Sequence, residues 1–152
     1  LLEMVRLFQR IYPDRIQFVT MGTPQVDLLS SDRNKILDLG FVSEEDKISC
    51  FAGALLNCQP SLNESFSIIL MESWICKVPV MVHRNCAVTS HWVELSKGGY
   101  RFSDYFEFEQ NIIHALEHPG LRNEMGLNGQ YFVENNFRWN QILDKFLSAL
   151  KE

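Results

Sequence analysis

The sequence predicts an α/β domain, a Rossmann-like parallel sheet with helices on both faces. Three observations predict it. Strand-like and helix-like segments alternate along the chain, the order that winds a parallel sheet. The strand segments are apolar through most of their length, as strands buried on both faces are. The chain has 152 residues, 46% of them apolar, which suits one core, since domains commonly run to about 100–150 residues. We therefore expect a single domain over residues 1–152.

The elements follow in order. Leu1, Met4, Val5, Phe8, Ile11 and Tyr12 recur at helical spacing,. No capping residue precedes that pattern, so the chain is expected to be truncated on its amino-terminal side. Ile16 to Met21 reads as a strand closed by Gly22, and Lys35 to Phe41 as a second strand. Ser43-Glu44-Glu45-Asp46 opens a helix, with a capping serine and acids in the first turn,. Ala54 to Gln59 is a strand ended by Pro60. Phe66 to Cys76 is a helix, Val78 to His83 a strand with Pro79 near its start, and Tyr100-Arg101-Phe102 a short last strand,. Helical stretches near 105–117, 119–133 and 138–151 finish the chain, and Asn128-Gly129 reads as a turn.

Ligands of such sheets bind beyond the carboxyl ends of the strands. Four loops fall there: Gly22-Thr23-Pro24, Val42-Ser43, Gln59 to Ser65, and Arg84 to Ser90. The third leads into the most informative helix. Phe66, Ile68, Ile69, Leu70, Met71, Trp74 and Ile75 place apolar residues nearly all round it, the pattern of a buried helix,. Glu72 is its only charge. Carboxylates are rarely buried without partners. Glu72 therefore either pairs with a cation inside the protein or reaches the cleft edge, where it can accept hydrogen bonds from ligand hydroxyls.

Glu64 lies eight residues before Glu72. On one helix that separation would rise roughly 12 Å. Because Pro60 to Ser65 reads as loop, Glu64 should stand just ahead of the helix, which Ser65 or Asn63 can cap. The free N–H groups of the first turn then favour an anion such as a diphosphate. Two carboxylates flanking those amides suit an elongated ligand with hydroxyls at both ends and phosphate between.

Charge and composition exclude several classes. Fourteen Lys and Arg against nineteen Asp and Glu give a net charge of −5, the opposite of a nucleic-acid surface. No segment approaches the ~20 apolar residues of a membrane-spanning helix, and no signal peptide opens the chain. Cys50, Cys58, Cys76 and Cys86 form no Cys-x-x-Cys pair and read as free thiols of a cytoplasmic protein,. His114 and His118 are four apart on a helix but lack a third ligand, so no metal is expected. Trp74, Trp92 and Trp139 read as packing residues. No Gly-x-Gly-x-x-Gly follows a strand.

The spacing Glu64-x7-Glu72, after Pro60-Ser61 and before Val78-Pro79-Val80, resembles the carboxyl-terminal domain of the retaining family-4 (group 1) glycosyltransferases of GT-B fold. Leu39-Gly40-Phe41-Val42-Ser43, Gly98-Gly99-Tyr100-Arg101-Phe102 and Phe137-Arg138-Trp139 resemble further segments of that family, in the same order. The resemblance implies one half of a GT-B fold, with a nucleotide-sugar as donor and neither metal nor cofactor. Glu72 would bind the ribose hydroxyls. Glu64 would be the catalytic carboxylate, meeting the hydroxyls of the donor sugar. The backbone of Ser65, Phe66 and Ser67 would hold sugar and phosphates, and that of Gly40 to Val42 would face the base. The reaction implied is hexosyl transfer with retention.

The sequence departs from that pattern in places. Ser65 and Ser67 stand where the family usually has glycine, and Ala87-Val88 replaces a Gly-Gly ahead of the next helix. The family's diphosphate-clamping Arg and Lys, and its acceptor-binding amino-terminal domain, are expected upstream of Leu1, so the chain alone should be inactive. The alternative is a non-catalytic Rossmann-like binding or interaction domain.

Overall fold

A computed structural model describes residues 1–23, 32 and 35–150. Pro24, in the first of the four loops, lies outside them. The chain divides into two compact units, Leu1–Cys50 and Phe51–Glu152.

In the first unit, helix α1 (Leu2–Ile11) buries Val5 and Phe8. The Phe8 ring meets Phe18 edge-on at 5.9 Å. Arg6 holds the carboxylate of Asp32 from two nitrogens, Nε to Oδ1 at 2.8 Å and Nη2 to Oδ2 at 2.6 Å. Asp32 is only 1% exposed, and a buried carboxylate persists when paired this way. Strands β1 (Phe18–Thr20) and β2 (Ile36–Asp38) pair in parallel, Phe18 opposite Ile36. Both are shorter than the sequence predicts. Gly22 takes φ 103° and Gly40 φ 61°, so the chain leaves extended geometry soon after each strand. Helix α2 (Glu44–Gly53) starts as expected, with Asp46 N–H donating to Ser43 Oγ at 3.1 Å.

The second unit carries a three-stranded parallel sheet in the order β3-β4-β5, from Asn57–Gln59, Val80–His83 and Gly99–Phe102. Helices α3 (Ile68–Ile75), α4 (Ala87–Ser96), α5 (Tyr105–Glu117) and α6 (Pro119–Asn136) flank it, and α7 (Trp139–Ala149) follows. The core gathers Leu70, Met71 and Trp74 of α3 with Val80, Val82, Val93 and Val133.

Four expectations change. Helix α4 begins inside the stretch expected as loop, Arg84 to Ser90, and runs on to Ser96. Its buried face is Thr89, Ser90, Val93 and Ser96, mostly small and polar, so no apolar periodicity marks it. Asn128-Gly129 is no turn but sits inside α6, where Gly129 faces Trp74; a Cβ there would lie 2.1 Å from the indole Cδ1. Close helix approach has overridden the local turn signal. Trp139 is 71% exposed rather than packed. Helix α3 is shorter than expected and not apolar-buried all round, because Ile68 and Ile75 remain 65% and 55% exposed.

Among the described residues, no helix is long and apolar enough to cross a membrane.

Candidate functional site

Strand β3 delivers the chain to the carboxyl edge of the second unit's sheet at Gln59, which stands opposite Val82 of β4. Pro60 follows and holds the preceding residue extended. Residues 60–67 are loop. Ser61 Oγ donates to the Asn63 carbonyl at 2.9 Å, tightening its first half. Glu64 comes next, half-buried, with its Oε1 accepting from Gln59 Nε2 at 3.1 Å. Glu64 thus precedes the helix, as its spacing predicts. Ser65 is exposed.

Phe66 anchors the second half of the loop. Its carbonyl accepts from Trp92 Nε1 at 3.1 Å. Its ring sits edge-on to Phe137 at 5.2 Å and to Trp92 at 5.8 Å. The Phe66 side chain is therefore spent on packing.

Ser67 is the N-cap of α3 and takes φ 66°, ψ 71°. That left-handed conformation costs a non-glycine residue about 1 kcal/mol or more. The residue is 7% exposed, and its hydroxyl has no hydrogen-bond partner among the described residues. The expected capping by Ser65 or Asn63 is not made, and no side chain closes this helix end. With Ser67 in the left-handed region, the chain enters the helix two residues later than predicted. The Leu70 N–H is taken by the Ser67 carbonyl at 3.1 Å, which leaves the N–H groups of Ile68 and Ile69 for an acceptor from outside, an anion above all.

Glu72 lies one turn inside α3 and is half-buried. Its charge reaches Cys76, whose thiol is raised first by burial and then by that carboxylate. Burial pushes the Cys58 thiol up to about 12, so this cysteine of β3 stays protonated and unreactive near neutrality.

The first unit holds its own feature. Thr20 Oγ1 and Gly40 N–H both donate to Asp38 Oδ1, at 2.9 and 3.2 Å, and Gly22 N–H donates to the Gly40 carbonyl at 2.7 Å. This fixes the turn at the strand ends and leaves Phe41 89% exposed. Leu39, Phe41, Val42, Ser43 and Asp46 help line a hollow of about 580 Å³. A second, of about 390 Å³, lies at Arg6 and Asp32. Neither includes Glu64 or Glu72.

Residues 30–132 match the family of glycosyl transferases, group 1. The chain belongs to that family. No curated protein matches it in sequence. Among solved structures it is similar to Anabaena HepE in complex with UDP-glucose, with TM-score 0.79 and 17% identity over 98% of this chain and 44% of that one. It is similar to TarM, with TM-score 0.80 and 17% identity over 99% of this chain and 31% of that one. It is also similar to sucrose-phosphate synthase from Thermosynechococcus elongatus, at 0.74 and 19%, covering 98% and 41%. These likenesses show the fold, the α/β architecture of GT-B glycosyltransferases. The chain spans less than half the length of each.

Within this group 1 domain, Glu64, Ser65, Phe66, Ser67 and Glu72 form one continuous loop-to-helix element. The loop after β4 is shorter than expected, because Ala87 and Val88 already open α4. His83 is part of the strand, with Nδ1 accepting from Asn85 N–H at 3.2 Å. His114 and His118 stack at 4.3 Å with planes 22° apart, so their in-plane lone pairs do not converge on one ion. Two residues shape the site through hydrogen bonds that the sequence does not reveal. Gln59 reads in sequence as a strand end and the start of a cleft loop, with nothing to show its side-chain bond to Glu64 five residues on. Trp92 packs as its residue type predicts, and its N–H also fixes the Phe66 carbonyl.

Proposed function

We propose that this chain is the donor-binding domain of a retaining hexosyltransferase, carboxyl-terminal in a two-domain GT-B enzyme. In this reading Glu72 accepts hydrogen bonds from the ribose hydroxyls of a nucleoside diphosphate sugar. Glu64 is the catalytic carboxylate and meets the hydroxyls of the transferred sugar. The backbone of Ser65, Phe66 and Ser67 and the first turn of α3 take the sugar and diphosphate, stabilising the leaving group. The backbone of Gly40 to Val42 faces the base. The remainder of the enzyme supplies the acceptor site and the cationic diphosphate clamp, so the chain alone binds donor weakly and does not turn over. No metal or cofactor takes part, and the cytoplasm is the compartment that suits its free thiols.

One observation carries the reading: a helix with no side-chain cap, flanked by a half-buried carboxylate just before it and another one turn inside. Helices α1, α4, α6 and α7 also lack a side-chain cap, but α4, α6 and α7 are entered through N-caps of negative φ, whereas α3 is entered through a buried, left-handed Ser67. The UDP-glucose complex of HepE supports the ligand class.

Isothermal titration with UDP on the full-length enzyme, wild type and Glu72→Ala, tests the assignment. The substitution should cost about 1.5–3 kcal/mol of nucleotide affinity, the scale of hydrogen bonds to a charged group. Equal affinity in both proteins would remove Glu72 from the site.

A further inference from the structure

We infer that Gln59 is the positioning residue for Glu64: its side-chain amide aims the carboxylate at the donor sugar. The inference rests on the reading of Glu64 given above. It begins with geometry. Gln59 Nε2 lies 3.1 Å from Glu64 Oε1, in a partly buried contact between residues five apart. Gln59 is the last residue of β3, held in register against Val82 and kept extended by Pro60. Glu64 stands in a loop. The bond therefore ties a mobile class of residue to a rigid one, which is how a binding group is fixed in direction.

The chemistry of the pair is selective. A carboxylate offers about four lone-pair positions. The amide takes one and leaves the others for hydroxyls. Only the NH2 end of Gln59 can satisfy a carboxylate, so the amide orientation follows from the partner. A lysine or arginine in its place would form an ion pair and compete with the ligand. A neutral donor orients the charge without cancelling it. The tie also works from outside the loop, whereas Phe66 fixes the loop's other end through Trp92 and Phe137.

The test compares wild type with Gln59→Leu, which removes the donor, and Gln59→Glu, which keeps the shape and sets a like charge beside Glu64. In the full-length enzyme, each is titrated with UDP-glucose, GDP-mannose and ADP-glucose, and with UDP, GDP and ADP. For the sugar nucleotide that binds, Gln59→Leu should weaken affinity roughly three- to tenfold while affinity for the bare diphosphate stays within about twofold. Gln59→Glu should lose more at neutral pH and recover part of the loss as pH falls, because two adjacent carboxyls then share a proton. Equal weakening of both ligands would mark Gln59 as merely structural and overturn the inference, as would no change in either. Should Gln59→Leu unfold, Gln59→Glu decides alone through its pH profile. If wild type binds none of the six, the donor-site reading itself falls, and this inference with it.

Discussion

The two ends of α3 are built to opposite rules. At its carboxyl end each polar group is matched. Trp74 is fully buried, and its Nε1 donates to the Gly98 carbonyl at 2.8 Å. Ser73 Oγ donates to the Val78 carbonyl at 3.1 Å. Gly126 and Gly129 bring α6 so near that a Cβ on either would lie 2.0 or 2.1 Å from Lys77 O or the Trp74 ring. At its amino end, Ser67 holds a left-handed conformation, its hydroxyl is buried without a partner, and no side chain caps the helix. One end is closed by packing. The other keeps strain and unmet hydrogen-bonding capacity, which proteins concentrate where ligands bind.

The largest break in that contrast comes from filling the closed end. Gly129→Ala places a methyl group inside the Trp74 contact, against a buried ring that has no free direction to move. Overpacking of this kind costs about 1–3 kcal/mol, occasionally more. Urea unfolding should show a lowered midpoint with an unchanged slope. An unaffected midpoint would mean that α6 can slide off Trp74, and that the closed end is looser than its contacts imply.

The open end should respond with the opposite sign. Ser67→Gly removes both the left-handed strain and the partnerless hydroxyl, against the extra chain entropy of glycine. We expect a net gain of about 1 kcal/mol in the same urea experiment. A loss would show that the Ser67 hydroxyl serves the fold and that the amino end is not under strain. The two substitutions together therefore measure the asymmetry directly: glycine out destabilises at one end, glycine in stabilises at the other.

The placing of the two carboxylates was legible in the sequence, the asymmetry itself was not, and the features that escaped share a cause. The spacing of Glu64 and Glu72, with a proline-bounded loop between strand and helix, was enough to set one carboxylate ahead of α3 and the other within it. The strands were found from their apolar runs, though their lengths were overestimated. What escaped were features fixed by distant contacts. Asn128-Gly129 looks locally like a turn, and only Trp74, far off in sequence, makes that glycine helical. Helix α4 hides because small polar residues form its buried face. The uncapped start of α3 could not be read either, since Asn63 and Ser65 are both good caps by type and nothing local says that neither is used.

The smallest effect belongs to a helix that does close its amino end. At α5, Asp104 Oδ1 accepts from Glu107 N–H at 2.9 Å. Glu107 Oε2 reaches back to Ser103 N–H at 2.8 Å and to its hydroxyl at 2.9 Å, and Oε1 takes Arg84 at 2.6 Å. These bonds, the Ser103 hydroxyl first, hold the Glu107 carboxyl below its ordinary value. A depressed folded-state pKa stabilises the fold above the unfolded-state value, and that contribution disappears as pH falls through the folded one. Wild type should therefore be modestly more stable than Glu107→Gln at neutral pH, with the gap closing on acidification below the usual carboxylate range. Arg84 and Glu107 are both partly exposed, so the gap should be small and should shrink further in high salt. A gap that persists unchanged at low pH would mean that the glutamine fails by shape rather than by charge. The α5 cap would then be no electrostatic counterpart to the open end of α3.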